Sequence, residues 1–298
     1  MVASSFRTRI QEPEPFFILE AMRLRLLLTA AIIFTAATCL AEGPDFAPLE
    51  AWKTAVLHGD SAVVKALYSS TPSARIDVDS TEVGADADAA FWTGLKARKI
   101  DLNIAQSTSP QPGVQQIVFQ AAIRPAGPGR TLYVSEGQLW QQQGSGWKLI
   151  AVKRTDATRL EQPLSVDAKI YPVSDAHEEI RAALARAAKS GKRVFVVFGA
   201  DWCFDCHVLD KAFKRQDIAA LLNPNYELVH IDVGRGEKNQ DLMNQYQVPM
   251  KRGIPAIALL DSSGKLLYSQ RNGEWERARA LGPEDLLEFL RKWKPQSR

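Results

Sequence analysis

The chain has 298 residues, 46% of them hydrophobic and 24% charged, which is typical of a globular protein long enough for two domains. Lysine and arginine total 37 against 34 acidic residues, so the formal net charge is only +3. This balance gives no electrostatic basis for binding nucleic acid, and we predict no nucleic-acid partner.

Residues 1–41 are predicted to contain a secretory signal peptide. Two arginines precede an uncharged apolar run, residues 26–40, which ends in small residues. Met22 stands directly before this pattern and is an alternative start. The run is short for a membrane-spanning helix, which needs roughly 20 apolar residues. We expect cleavage and a periplasmic or otherwise extracytoplasmic protein; an uncleaved membrane anchor and a lipid on Cys39 are the weaker alternatives.

Residues 44–156 are predicted to form an α+β domain. Helical patterns cover residues 44–70, with a break at Gly59, and residues 85–99. Four alternating stretches separated by turns then predict strands. These stretches are residues 100–107, 115–124, 130–143 and 146–156.

Three short helices followed by a curved antiparallel sheet resemble the nuclear transport factor 2-like fold, also called SnoaL-like. The resemblance is carried by HGDSAVVKALYS, residues 58–69, and GWKLIAVKRTD, residues 146–156. It implies a cone-shaped sheet with a small-molecule pocket or a dimer contact. Four aromatic residues are candidates either for lining a pocket or for plain core packing: Trp92, Tyr133, Trp140 and Trp147. Residues 157–173, which include two prolines, are predicted to be a linker.

Residues 174–296 form the second predicted domain. RVFVVFGA, residues 193–200, is a continuous apolar run typical of a strand buried on both faces. From Cys206 to Ile218 the apolar spacing becomes helical. Cys203 and Cys206 therefore lie where a strand ends and a helix begins. The helix dipole and unpaired N–H groups there favour a thiolate on Cys203, which we expect to be the more exposed cysteine.

The cysteine spacing favours redox chemistry over a structural role. A disulfide that closes a loop of about four residues stabilises a fold by roughly 2 kcal/mol in the chain-entropy estimate. The same spacing allows one thiolate to attack a partner disulfide and the other to resolve the mixed disulfide. We assign the attack to Cys203 and the resolution to Cys206.

FGADWCFDC, residues 198–206, resembles the active-site segment of the thioredoxin superfamily. KRGIPAIALLDSSGKLLYSQRNGEW, residues 251–275, resembles that family's cis-proline strand and hairpin. The resemblance implies a mixed sheet flanked by helices. It also implies a cis Pro255 that, with Ile254 and Trp202, shapes a groove for an extended partner chain. Its partners would be protein thiols and disulfides together with an upstream thiol electron donor, and no cofactor is expected.

The segment departs from the family at Val197, where many thioredoxins carry a buried acid. Asp201 and Asp205 are candidates for acid–base help, although Asp205 also suits the first turn of a helix. His207, expected to be half exposed, is a candidate for tuning the thiols by its charge.

Two other functions remain open at this point. Cys203, Cys206 and His207 spell CxxCH, the attachment signature of c-type haem, which would make the protein an electron carrier. Alternatively, the first domain captures a ligand and the second is a redox-inactive relic. No second Cys/His pair has zinc spacing, so no metal site is predicted. The prediction that best accounts for both resembling segments is an exported thiol-disulfide oxidoreductase.

Overall fold

The computed structural model describes residues 46–249 and 252–296, all within one compact unit, Gly43–Arg298. The predicted signal peptide, Met22 and Cys39 lie outside the described residues. Across the described ranges, no helix has both the length and the apolar character that crossing a membrane requires.

Three helices open the first region: α1 (Ala47–His58), α2 (Ser61–Ala66) and α3 (Ala85–Gly94). Gly59 ends α1 in the left-handed conformation, with φ of 73°, which glycine adopts at little cost. Asp60 then caps α2 through its side chain, which accepts hydrogen bonds from two backbone N–H groups. The predicted break at Gly59 is confirmed.

The first region also contains six strands, of which the first two lie between α2 and α3: β1 (Arg75–Val78), β2 (Thr81–Val83), β3 (Ala97–Gln111), β4 (Val114–Pro125), β5 (Leu132–Gln143) and β6 (Gly146–Arg154). Their order in the sheet is β2-β1-β6-β5-β4-β3. Neighbours are antiparallel except β1 and β6, which run parallel. The four predicted strands are present. The β1–β2 hairpin was not predicted from the sequence, and the parallel pairing of β1 with β6 makes the sheet mixed.

Aromatic side chains fill the core of this first region. Trp92 and Trp140 are completely buried, so for both the core interpretation is correct and the pocket-lining one is wrong. Trp52 meets Trp92 edge to face, with ring centroids 4.8 Å apart. The other two candidates, Tyr133 and Trp147, are half-buried.

A buried polar network crosses the same core. Asp88 accepts a hydrogen bond from the Tyr68 hydroxyl and pairs with Arg154, each at 2.5 Å. Glu136 accepts a hydrogen bond from the Gln138 amide through Oε1, while its Oε2 is buried without a partner. Burial, and after it the Asp88 carboxylate, raise the pKa of Glu136 to about 8. A protonated Glu136 matches this arrangement, because a neutral carboxyl tolerates burial far better than a carboxylate.

The segment 157–173, predicted as a linker, packs closely against the second region. Leu160 is completely buried in a core cluster with Phe195 and Leu209. The Gln162 carbonyl accepts a buried hydrogen bond from the Gln120 side chain of β4 at 2.5 Å. This segment is therefore fixed to both regions, while the domain limits themselves stay predictions.

The second region contains α4 (Ala176–Ser190), β7 (Arg193–Gly199), α5 (Phe204–Phe213), α6 (Gln216–Asn225), β8 (Tyr226–Asp232), α7 (Gln240–Gln245), β9 (Ala256–Leu260), β10 (Leu266–Ser269) and α8 (Pro283–Lys292). The sheet order is β10-β9-β7-β8, with β7 and β8 parallel and the other neighbours antiparallel. This mixed sheet between helices confirms the fold class predicted for the region.

Strand β7 is buried on both faces, as its apolar sequence predicts. Phe195 and Val197 belong to one core cluster, whereas Val194, Val196 and Phe198 belong to a second. Alternate side chains of a strand point to opposite faces, so the two clusters lie on the two sides of the sheet. The central position of β7 brings its carboxyl end next to β9.

The helix after the cysteines is shorter than predicted. Instead of continuing to Ile218, α5 ends at Phe213, and α6 begins at Gln216. The backbone of Arg215 is extended, with ψ of 138°, and this residue separates the two helices. Ile218 nevertheless packs into the same core as Leu209, so the apolar spacing continued across the break.

Candidate functional site

Cys203 and Cys206 form a disulfide where the chain passes from β7 to α5. Cys203 caps the helix, and its Sγ accepts a hydrogen bond from the Cys206 backbone N–H at 3.2 Å. The two Cα atoms are 5.3 Å apart. The predicted location of the pair is thus the observed one, and a backbone donor is already directed at the Cys203 sulfur.

The Ile254–Pro255 segment lies against this disulfide. Its peptide bond is cis, as the family resemblance implied, and Pro255 directly precedes β9. The Cys203 Sγ lies 3.5 Å from the Ile254 carbonyl oxygen. Because β9 pairs with β7, the sheet brings together two segments separated by 51 residues.

Exposure distinguishes the residues around the disulfide. Cys203 is 5% exposed and Cys206 is 2% exposed, so Cys203 is the more accessible sulfur by a small margin. Trp202 is 43% exposed, and its indole N–H donates to the Gly234 carbonyl at 2.9 Å. The Arg235 guanidinium lies 5.6 Å from the centre of the Trp202 ring. The exposed Trp202 ring, with the Arg235 guanidinium near it, is therefore the neighbour of Cys203 on this surface.

Asp201 is directed at the linker segment. Its Oδ1 accepts hydrogen bonds from the backbone N–H groups of Ile170 and Tyr171 at 2.9 and 3.0 Å, and Lys169 lies 3.4 Å from Oδ2. Partial burial alone would raise the pKa of Asp201, but these hydrogen bonds and the Lys169 charge lower it overall. The geometry gives Asp201 an anchoring role.

Asp205 is held by the segment that precedes α8. The Arg279 guanidinium donates to both carboxylate oxygens, the shortest distance being 2.6 Å, and the Arg279 backbone N–H donates at 2.8 Å. These bonds occupy the carboxylate, whose side chain is 10% exposed. Asp205 thereby joins the active-site helix to the C-terminal part of the domain.

The expectation that His207 is half exposed is wrong. His207 is 4% exposed, and its Nε2 lies 2.6 Å from the Asp201 carbonyl oxygen. The ring turns back under the start of the helix, which explains its burial. A haem ligand must be free to reach an iron, whereas this nitrogen is occupied and both cysteine sulfurs are bonded to each other.

Tyr171 is a residue near the site that the sequence analysis did not identify. It packs in a small cluster with Cys203 and Cys206, next to Ile170 and Ile254. The only sequence sign is an apolar Ile-Tyr pair inside the predicted linker, which carries no recognised motif. Elsewhere in the described ranges, no group of three or more histidine, cysteine or acidic residues is arranged to hold a metal.

Comparison with known families agrees with this geometry. Residues 175–262 match the family model described as thioredoxin-like, a range that starts just before α4 and ends just after β9. The chain therefore contains a thioredoxin-like domain, and Cys203 and Cys206 lie inside it.

Particular relatives are similar to part of the chain. The thiol:disulfide interchange protein DsbD 2 of Pseudomonas aeruginosa is 31% identical over 134 residues, which cover 41% of this chain and 21% of the relative. The chain thus spans about a fifth of the length of that relative. A solved disulphide isomerase from Xylella fastidiosa is 34% identical, with 44% of this chain and 98% of that chain covered and a TM-score of 0.40.

A solved structure also resembles the first region. An NTF-2 like protein of unknown function from Shewanella oneidensis is 12% identical, with 37% of this chain and 94% of that chain covered and a TM-score of 0.32. This likeness concerns the fold alone. In the present chain the region consists of three helices and a six-stranded sheet.

Proposed function

We propose that the protein is a thiol-disulfide oxidoreductase that reduces or exchanges disulfides of protein partners through Cys203 and Cys206. The observation that carries the proposal is the redox pair itself, bonded at the start of α5 and facing the Ile254–Pro255 segment. A disulfide that only stabilises the fold needs neither a helix cap at one sulfur nor a backbone carbonyl 3.5 Å from that sulfur.

The exchange proceeds through one mixed disulfide. The Cys203 thiolate attacks a partner disulfide, forms a bond to one partner sulfur and releases the other as a thiolate. The Cys206 thiolate then attacks the Cys203 sulfur, closes the intramolecular disulfide and releases the second partner thiolate. Two electrons pass to the partner, whose two thiolates take protons from solvent. An upstream thiol donor reverses these steps to reduce the pair again.

Cys203 receives the attacking role because three features favour its thiolate. It occupies the N-cap of α5, it accepts the Cys206 N–H, and it is the more exposed of the two sulfurs. An extended partner chain would run along Ile254 and Pro255, with the exposed Trp202 ring as its neighbour. The name of the relative DsbD 2, a thiol:disulfide interchange protein, supports the same reaction class.

We also propose that the reaction takes place outside the cytoplasm. This part of the proposal is supported by the signal-peptide pattern in residues 1–41. It also agrees with the Cys203–Cys206 disulfide, because disulfides persist in oxidising compartments outside the cytoplasm. Expression of the full chain followed by cell fractionation and N-terminal sequencing tests it. Protein with an uncut N-terminus in the cytoplasm would contradict it.

The test of the enzyme proposal is reduction of a protein disulfide, with insulin as substrate and dithiothreitol as electron donor. Cys203→Ser should abolish the rate above background. Cys206→Ser, incubated in its reduced form with insulin after dithiothreitol has been removed, should accumulate mixed disulfides that run as larger species on a non-reducing gel. In full-length protein that retains residues 1–41, Cys39→Ser is the matched control, because it removes the one cysteine outside the CxxC pair. Full activity of Cys203→Ser would refute the proposal.

The haem-carrier alternative has a separate test. Protein matured with a haem-attachment system should show no visible absorption band, because Nε2 of His207 is buried against the Asp201 carbonyl. A covalently attached chromophore would overturn the oxidoreductase proposal in favour of electron transfer. The redox-inactive alternative fails if thiol titration shows a pair that opens and closes in glutathione buffers.

A further inference from the structure

A tyrosine hydroxyl is buried beside the disulfide without a hydrogen-bond partner. Tyr171 is 4% exposed and packs with Cys203 and Cys206 in a cluster distinct from the main cores. Within the described part of the chain, nothing accepts or donates a hydrogen bond at its Oη. Because burying a hydroxyl unpaired is unfavourable, such a group calls for an explanation.

The hydroxyl lies next to the Cys206 sulfur. A Cβ built on Gly199 would lie 2.7 Å from the Cys206 Sγ and even closer to the Tyr171 Oη. The two atoms are therefore at most about 4.6 Å apart, because this Cβ position would lie 1.9 Å from the Oη and 2.7 Å from the Sγ. Any side chain at residue 199 would fill the space they share, so glycine at the end of β7 allows this approach.

Tyr171 is tied to the helix that carries Cys206. Asp201 accepts the backbone N–H groups of Ile170 and Tyr171, and the Asp201 carbonyl in turn bonds to the His207 ring of α5. His207 follows Cys206 directly in the sequence. These contacts fix the tyrosine backbone relative to the sulfur.

The groups that face the hydroxyl keep it protonated. Burial, and after it the carboxylates of Asp210, Asp201 and Asp232, raise the pKa of Tyr171. His230 packs edge-on against the tyrosine ring with centroids 5.4 Å apart, and burial lowers the pKa of His230. At neutral pH the phenol is thus a hydrogen-bond donor beside an uncharged imidazole. Val197, on the same strand as Gly199, packs in the core and offers no acid.

We propose that the Tyr171 hydroxyl donates a hydrogen bond to the Cys206 sulfur when the disulfide opens, and so stabilises the thiolate that resolves the mixed disulfide. This inference rests on the proposed function. In the closed disulfide the sulfur carries no charge and the hydroxyl is left without a partner, as observed. Tyr171 keeps its proton throughout, so the electron and proton balance of the exchange is unchanged.

The test compares Tyr171→Phe with the unaltered tyrosine in a Cys203→Ser background. The ultraviolet absorbance of the Cys206 thiolate is followed against pH, and the Cys203→Ser/Cys206→Ser protein supplies the baseline. A hydrogen bond to a charged group predicts that Tyr171→Phe raises the thiol pKa by roughly one unit, a tenfold change in proton affinity.

Tyr226→Phe is the matched control, because it deletes a buried hydroxyl that donates to the Leu290 carbonyl at 2.7 Å, away from the disulfide. It should lower stability without moving the Cys206 thiol pKa. Oxidised Tyr171→Phe should be at least as stable as the parent protein, because the Tyr171 hydroxyl has no partner to lose and its unpaired burial is unfavourable.

Equal thiol pKa values in the Tyr171→Phe and Tyr226→Phe proteins would overturn the inference while leaving the enzyme proposal intact. A different result would refute the enzyme proposal: the parent protein would fail to reduce insulin. A second measurement is the pH profile of mixed-disulfide resolution in protein that retains both cysteines. Its midpoint should move upward in Tyr171→Phe, and an unchanged midpoint would again count against the tyrosine.

Discussion

Removing the Arg279 side chain should destabilise the protein more than neutralising its partner Asp205. The Asp205 side chain is 10% exposed and relies on Arg279 for charge compensation, whereas the Arg279 side chain is 48% exposed. Arg279→Met therefore leaves a nearly buried carboxylate with only a backbone N–H donor at 2.8 Å. Asp205→Asn instead returns a half-exposed guanidinium to water.

The magnitudes follow from this asymmetry. Breaking a fully buried ion pair costs about 3–5 kcal/mol, and the exposure of Arg279 reduces the expected loss in Arg279→Met to about 2 kcal/mol. Asp205→Asn should lose about 1 kcal/mol, because a neutral amide oxygen still accepts the backbone N–H. Urea unfolding at constant m-value gives both free energies of unfolding.

The same two variants distinguish a structural role of Asp205 from a catalytic one. If its carboxylate is structural, Asp205→Asn keeps insulin reduction within about threefold of the parent, whereas loss of a general acid or base costs about 100-fold or more. If Arg279→Met lowers the free energy of unfolding by less than about 0.5 kcal/mol, as ordinary surface substitutions do, the reasoning is refuted. A larger loss of stability in Asp205→Asn than in Arg279→Met would refute it as well.

Three further changes test the packing. Glu136→Gln should flatten the pH dependence of stability: native Glu136 keeps its proton up to about pH 8 while the unfolded chain loses it near 4.5, so parental stability falls as pH rises between these values. Parallel stability curves for both proteins over that range would contradict a buried neutral carboxyl. Leu160→Ala should cost about 2–5 kcal/mol in urea unfolding, because a completely buried leucine leaves a cavity, and a loss typical of the surface would show that the segment is not anchored. Gly199→Ala should slow reoxidation of the cysteine pair in glutathione buffers, since the added methyl would lie 2.7 Å from the Cys206 sulfur; an unchanged rate would mean that the backbone moves freely there.

Features encoded by a local pattern were predictable from the sequence. The continuous apolar run of β7, the helical spacing after Cys206 and the Ile254–Pro255 dipeptide each carry a signal within a few residues. The position of the disulfide relative to the cis peptide followed from those signals together with the family resemblance. Their contact across 51 residues is the part that only the sheet pairing establishes.

The features that were missed depend on distant contacts or on unusual turns. The β1–β2 hairpin turns at Asp79 and Ser80, which both have positive φ and lack the glycine that normally marks such a turn. The burial of His207 depends on the Asp201 backbone carbonyl, six residues earlier and before the helix begins, which apolar spacing does not reveal. Tyr171 reaches the disulfide only because Gly199, 28 positions further along the chain, has no side chain.

The path of the segment before α4 bears on how this protein can be divided for experiments. The match to the thioredoxin-like family begins at residue 175, so a recombinant fragment that starts there would contain the whole matched range. It would nevertheless discard Leu160 from its own hydrophobic interior and Tyr171 from the lining of its cysteine pair. A fragment intended to report the native chemistry of the sulfurs has to begin before residue 160.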